Sequence, residues 1–461
     1  MRAPLLPLLF LLLGCPPEPP PSRGERPSAS ATASGAGRAR PRPTASATEA
    51  PPARIVVDGV LRDWFDVPLL ASDPRGDGRD GIDVTQLRAL VVGQELFVQL
   101  DTGGEVNLVA GPEGTVGLVL VLGLDGRTLR VDFRAREAQL GERRMKLGAL
   151  GLVAAPTHAG RAFELRLDLE ALGVRPGAPI TLGLEGADPV AAVRVTERRD
   201  GSPPVTRSTA KPPGATIRLA SLNTLEGGLD DPRRRAALQR LLKAAAADVY
   251  ALQEVGRTSG ERLAAQFGAL DPHGDGAPWH VHHLALDDVV GGAIASRAPL
   301  TPIPTPSPRI VAAVVGLPSP VAVVDVHLKC CGYAGSPEDR ERLAEAAEIL
   351  AVVAELRMPV IVVGDFNDVG SAELDQRLSG ELVHVPLRHL TDDAAFTWLS
   401  PTSPFPPGIL DLLFVKGLTE KHQFLLDSRR LAASPRQSLG LEPDDSAASD
   451  HLLVVADLAP R

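Results

Sequence analysis

Residues 361–368 read IVVGDFND: an apolar run of strand character stops at Gly364 and then presents Asp365, Asn367 and Asp368. Gly, Asn and Asp are turn formers, so a turn after a buried strand accounts for the residue types. It does not account for so many oxygen donors delivered at one strand end. Further along the chain the same grammar recurs. IRLASLN finishes at Asn223, VYALQE at Glu254, VAVVDVH at His327 and GILD at Asp411, while DHLLVVADL begins with Asp450 and His451. Strand ends that meet on one rim of a sheet would place these groups in a single cavity, held by rigid backbone.

Between these runs lie helical patterns, which makes residues 216–461 an α/β segment. Asp231 followed by Pro232 opens PRRRAALQRLLKAAAADV, and Ser336 followed by Pro337 opens a second helix through DRERLAEAAEILAVVAEL. In each case a capping residue precedes a proline suited to the first helical position.

The donors at the strand ends are hard. Asn223, Glu254 and Asp450 offer oxygen and no thiolate, so Mg²⁺ or Mn²⁺ is the natural guest. A phosphodiester repels hydroxide, and a cation at its phosphoryl and leaving oxygens would offset that charge. Asp365, with Asn367 two residues on, is placed to deprotonate and orient a water. His327 and His451 are placed to donate hydrogen bonds to charge growing on phosphoryl oxygens.

In order along the chain, Ser221-Leu222-Asn223, Leu252-Gln253-Glu254-Val255, GGAIASR over Gly291–Arg297, His327-Leu328-Lys329, Gly364-Asp365-Phe366-Asn367 and Ser449-Asp450-His451 resemble the motifs of the endonuclease/exonuclease/phosphatase superfamily. The resemblance covers nearly all of residues 216–461. It implies a four-layer α/β/β/α sandwich, with two packed sheets and helices on both outer faces. It also implies that Asp411 orients His451, and it leaves open whether that histidine is general base or phosphate stabiliser. One departure stands out: nucleic-acid-cutting members often carry a basic residue just before this aspartate, and here Ile409 and Leu410 precede it.

Residues 54–198 alternate short apolar runs with Gly and Asp turns, the pattern of an antiparallel β-sandwich. VVDGVLRDWFDVP, with Trp64, resembles the opening of family-nine carbohydrate-binding modules, which implies a glycan contact, although a lone Trp near a strand start is more often core. Asp73, Asp77, Asp80 and Asp83 cluster without the spacing of a defined calcium loop and read as a solvated acidic loop. Residues 199–215 are linker-like.

The N-terminus, MRAPLLPLLFLLLGC, has one arginine, an apolar stretch too short to span a bilayer, and Cys15 after Gly14. This is an export signal of residues 1–15 whose end resembles a bacterial lipobox, with Cys15 as the lipidated residue. Residues 16–53, rich in Pro, Ser and Ala, form a tether. The expectation is an extracytoplasmic protein of the bacterial cell envelope, anchored by lipid, on the outer membrane. Cys330 and Cys331, the other two of three cysteines, read as reduced, buried thiols, since adjacent cysteines close a disulfide only with strain.

Among 461 residues, 57 Asp and Glu against 48 Lys and Arg give a net charge of −9, which offers long nucleic acid little electrostatic help. The function expected is a Mg²⁺-dependent phosphodiesterase, foremost an extracytoplasmic nuclease. The alternatives are a sphingomyelinase-like lipid phosphodiesterase, with Trp398 and Phe405 as the nearest membrane-facing aromatics, and a non-catalytic glycan-binding lipoprotein.

Overall fold

The computed structural model of the protein describes residues 54–76, 82–109, 117–187, 192–200, 207–256, 258–271, 273–285, 290–391 and 394–461. Cys15, the tether, Asp77 and Asp80 lie outside the described residues. The described residues fall in one compact unit.

The C-terminal half contains two six-stranded sheets. One runs in the order His280–Ala285, Gly291–Ser296, Val249–Gln253, Ile217–Asn223, Leu453–Pro460, Leu418–Leu426. The other runs Leu300–Ile303, Ile310–Val315, Val321–His327, Val360–Asp365, Asp411–Lys416, Val383–His384. The central strands are apolar at nearly every position because both of their faces are covered. Ile217, Leu219, Ala251 and Ile294 of the first sheet meet Val311, Val323, Ile361 and Leu413 of the second in one cluster. The alternate residues point outward: Ala220, Leu222 and Leu252 pack on Leu238, Leu241 and Phe267 of two helices. On the far side Val324, Val326 and Val362 pack on Ala346, Ile349 and Val353 of Pro337–Glu355.

That last helix starts where the sequence indicates, with the Ser336 hydroxyl accepting from the Asp339 N–H at 3.2 Å. The other helix differs. It spans Arg235–Ala245, and Asp231 instead organises the preceding turn by accepting from the Arg233 N–H at 2.9 Å. The Asp231 carbonyl accepts from the Arg234 and Arg235 N–H groups at 3.1 and 2.8 Å, so a turn over residues 232–234 leads directly into the helix.

The N-terminal half is β-rich, with two further six-stranded sheets. A single apolar cluster draws on both, from Leu87, Val98 and Leu165 to Leu122, Leu129 and Ile180. The pairing is not wholly antiparallel, since Arg198–Arg199 runs parallel to Val84–Val92. The opening run RIVVDGV forms no strand and leads into a short 3-10 helix, Leu61–Trp64. Trp64 is 2% exposed and donates its indole N–H to Glu164 at 2.6 Å, so its ring is core and is not presented to a sugar.

Around Trp64 the carboxyls of Asp58, Asp63 and Glu164 crowd together. Burial pushes Glu164 up to about 8, against the pull of the Trp64 and Gly59 N–H donors, and pushes Asp63 up to about 6. The folded state therefore holds a proton on Asp63 that the unfolded chain, at its ordinary 3.8, releases earlier, and this part of the stability is lost as pH rises from about 4 through about 6. We expect Asp63→Asn to gain about 1 kcal/mol on the wild type between pH 5 and pH 8, read from urea midpoints. A difference that shrinks with rising pH would contradict the assignment.

The two halves share a core. Ile55, Val57, Trp64, Phe97 and Val153 pack in one cluster with Ala394, Phe396 and Leu452. The loop 398–408 is fastened to the N-terminal half as well: Gly148 N–H donates to Ser403 O at 3.2 Å and Lys146 Nζ to Thr402 O at 2.9 Å.

Candidate active site

The rim shared by the two C-terminal sheets is built from strand ends and strand starts. Asn223, His327 and Asp365 close their strands, while Glu254 follows directly on Val249–Gln253. Asp411 opens its strand instead of finishing one. Because Asp411–Lys416 runs antiparallel to Val360–Asp365, Asp411 still lies opposite Asp365. Leu453–Pro460 likewise runs antiparallel to Ile217–Asn223, which brings Asp450 and His451 to the same rim.

Gly364 has a φ of +139°, and a Cβ there would sit 2.1 Å from Val326 O, so only glycine lets the two parallel strands approach beside Asp365. Glu254 and Asn367 adopt left-handed backbone, with φ of +54° and +47°.

Asp365 is the hub. Its Oδ2 accepts from Asn223 Nδ2 at 3.1 Å and lies 3.5 Å from His451 Nε2 and 3.7 Å from His327 Nε2. Its Oδ1 accepts from the Asn367 N–H at 2.9 Å. Asn367 is fixed in turn by donating Nδ2–H to Leu328 O at 3.1 Å. Glu254 Oε1 accepts from the same Asn223 amide at 3.0 Å and lies 3.7 Å from His327 Nε2, while its Oε2 accepts from the Glu226 N–H at 2.6 Å. His451 Nδ1 lies 2.8 Å from Asp411 Oδ2, which sets the tautomer and leaves Nε2 facing Asp365.

Burial raises Asp365 to about 6, countered by the charges of His451 and His327. Burial also works against a charged His451, but Asp411, Asp365 and Asp450 together carry its pKa well above the usual imidazole range. A buried carboxyl close to neutrality beside a stabilised imidazolium is a proton-transfer pair.

Asp450 Oδ2 accepts from Trp398 Nε1 at 3.0 Å, and its Oδ1 is buried with no hydrogen-bond partner. Asn223 Oδ1 is taken by the Leu225 N–H at 3.0 Å. Among the described residues no three His, Cys, Asp or Glu side chains gather closely enough to enclose an ion. The donors nonetheless fit Mg²⁺, which binds through one or two carboxylates and keeps water and substrate phosphate as its other ligands. Glu254, half-buried with its side chain 16% exposed, is the carboxylate for that task, with the orphaned oxygen of Asp450 as the second hard donor.

Three contributors escaped the sequence reading. Thr397 Oγ1 accepts the N–H groups of Leu410 and Asp411, at 3.0 and 2.9 Å, and so seats the partner of His451. Trp398 caps Asp450. Asp325 lies fully buried behind the rim, bonded to Gln253 Nε2 at 2.5 Å, and burial holds its carboxyl well above the carboxylate range. Only Asp325 had a signal, an acid inside the apolar run VAVVDVH.

Among the described residues, three arginines near the motifs are engaged elsewhere, while Lys329, two residues after His327, has Glu341 at 3.9 Å. Arg297 pairs with Asp275, Arg340 donates to Gly335 O, and Arg342 donates to Lys329 O and Cys331 O. Cys330 and Cys331 are exposed, not buried, because they lie in the loop after His327 and not in its strand. Their sulfurs are 2.8 Å apart, and the Cys331 thiol with nearby Lys329 and Arg309 brings Cys330 down to about 6.

The model of the Endonuclease/Exonuclease/phosphatase family matches residues 220–451. No curated protein sequence matches the chain. Among solved structures the chain is similar to the 3'-5' exonuclease NExo of Neisseria meningitidis, at 20% identity over 53% of this chain and 100% of that one, with a TM-score of 0.39. It is similar to an AP endonuclease from Archaeoglobus fulgidus, at 15% identity over 52% and 98%, with a TM-score of 0.38. The human Nocturnin catalytic domain with bound sulfate matches at 18% identity over 53% and 94%, with a TM-score of 0.36.

Proposed function

The chain belongs to the endonuclease/exonuclease/phosphatase family, hydrolases of phosphoester bonds, and from that premise we propose that it is a Mg²⁺-dependent phosphodiesterase of nuclease type. The reading of the packing that goes with this is a helix–sheet–sheet–helix sandwich with the site on its rim. The observation that carries it is the convergence on Asp365 Oδ2 of Asn223, His327 and His451, the last bonded to Asp411.

Asp365, poised near neutrality, takes the proton of the attacking water while Asn367 holds its other oxygen. His451, kept charged by Asp411, donates from Nε2 to a non-bridging phosphoryl oxygen, and His327 does so as well. Glu254 and Asp450 are the residues that would hold a divalent cation, which when bound would supply charge neutralisation to the phosphoryl transfer.

A nuclease is favoured over a lipid phosphodiesterase because the candidate membrane aromatics are occupied. Trp398 is bonded to Asp450, and the Phe405 ring lies 4.5 Å from the Arg136 guanidinium. The apolar N-terminal run ending at Cys15 supports action outside the cytoplasm, from a lipid anchor.

The test is hydrolysis by the full chain of plasmid DNA, RNA, sphingomyelin vesicles, a chromogenic diester and a chromogenic monoester, with and without chelator. DNA or RNA cleavage that chelator stops is the expected result. Glu254→Gln should raise the Mg²⁺ concentration for half-maximal rate about 10- to 100-fold. A wild type that cuts only the monoester, or a variant with unchanged Mg²⁺ dependence, would refute the respective part.

A further inference from the structure

We propose that Thr157, on the N-terminal β-rich half, is a positioning residue for the active site, tying the loop after Asp365 to the segment that opens at Asp411. This rests on the phosphodiesterase reading for its kinetic consequence, but not for its structural one.

Thr157 is 7% exposed. Its hydroxyl lies 2.6 Å from Asp368 O and 2.9 Å from Ile409 O, so one donor serves two carbonyls that belong to different catalytic segments. Asp368 is the residue after Asn367, whose N–H holds Asp365 Oδ1. Ile409 is two residues before Asp411, which holds His451. A shift of either segment alters how base and imidazolium face each other across 3.5 Å.

The approach is built in from both sides. A Cβ on Gly408 would stand 2.4 Å from Thr157 Cγ2, so glycine at that position admits the side chain. The neighbouring Ala159 N–H donates to Gly370 O at 2.7 Å. Asn107 extends the clamp by accepting from the Ala334 N–H at 3.0 Å, in the loop that follows His327. From behind, Asp339 Oδ1 accepts from the Ser371 N–H at 2.9 Å. The loop of residues 366–371 is thus gripped between the helix Pro337–Glu355 and the N-terminal half, with Thr157 at the point nearest the chemistry.

In the full chain, Thr157→Val replaces the hydroxyl by a methyl of similar size, and Thr157→Ser keeps it. For Thr157→Val we expect kcat to fall about tenfold on whichever phosphoester the wild type cleaves, with KM within about twofold, because binding groups are untouched while near-attack geometry loosens. Thr157→Ser should restore most of kcat, which loss of packing alone would not allow. Hydrogen exchange supplies an arm that needs no substrate: amides of residues 366–371 and 409–411 should exchange faster in Thr157→Val, with Ile217–Asn223 and Val321–His327 unchanged. Unchanged exchange in those two segments overturns the proposal, as does a Thr157→Val enzyme with wild-type kcat, or equal losses in both variants. An inactive wild type whose Thr157→Val form still shows the local exchange would refute the phosphodiesterase reading and leave the clamp standing.

Discussion

Replacing His451 by alanine is expected to lower phosphodiester turnover by about 10³-fold while leaving the far-ultraviolet spectrum unchanged. The magnitude follows from what is lost. Nε2 faces Asp365 Oδ2 at 3.5 Å and Nδ1 is bonded to Asp411, so the substitution removes the imidazolium that Asp411 holds in place. The same geometry gives the pH profile of the wild type. Activity should fall as pH drops through about 6, where Asp365 takes a proton, and should fall again at a pH well above the usual imidazole range, where His451 gives one up. The two limbs belong to the pair and not to either residue alone. A variant within tenfold of wild type at the optimum would remove His451 from the chemistry.

The second large effect concerns the whole N-terminal half. A chain cut to residues 216–461 is expected to be insoluble or inactive, although its motifs are complete. Phe396 and Leu452, 3% and 1% exposed, are covered in part by Ile55, Trp64 and Val153. Uncovering side chains of this size costs about 1.5–3 kcal/mol each, and a domain has only about 5–15 kcal/mol in hand. Leu452 also follows His451 directly, so the damage begins beside the site. Recovery of a soluble monomer that turns over at the wild-type rate would show that the shared cluster is dispensable.

How much of this could be read from the chain depended on whether the signal was local. The strands at Asn223, His327 and Asp365 end where their apolar runs end, although Ser221 and Asp325 interrupt two of those runs without ending them. Ser336 and Pro337 fixed a helix start through cap chemistry alone. Asp231 and Pro232 carried the same two signs, and Asp231 does accept the Arg233 N–H, yet a turn intervenes and the regular helix begins only at Arg235. The direction of Asp411–Lys416 was not legible either: GILD looks like a strand end, and only the antiparallel pairing reveals it as a start. Thr157 was out of reach for a simpler reason. Nothing in its neighbours marks a threonine whose partners are 211 and 252 residues away.

The left-handed backbone at Glu254 and Asn367 says something about why those side chains are there. Asparagine tolerates such torsions moderately and glutamate poorly, and strain of this kind costs on the order of 1 kcal/mol or more per residue. If shape were all that mattered, glycine would be the better occupant of both positions. Among the described residues the same backbone recurs at seven other non-glycine positions, Leu225 and Glu226 among them, so the fold tolerates the cost elsewhere too; at Glu254 and Asn367 it falls on a carboxylate of the rim and on the residue whose N–H holds Asp365 Oδ1.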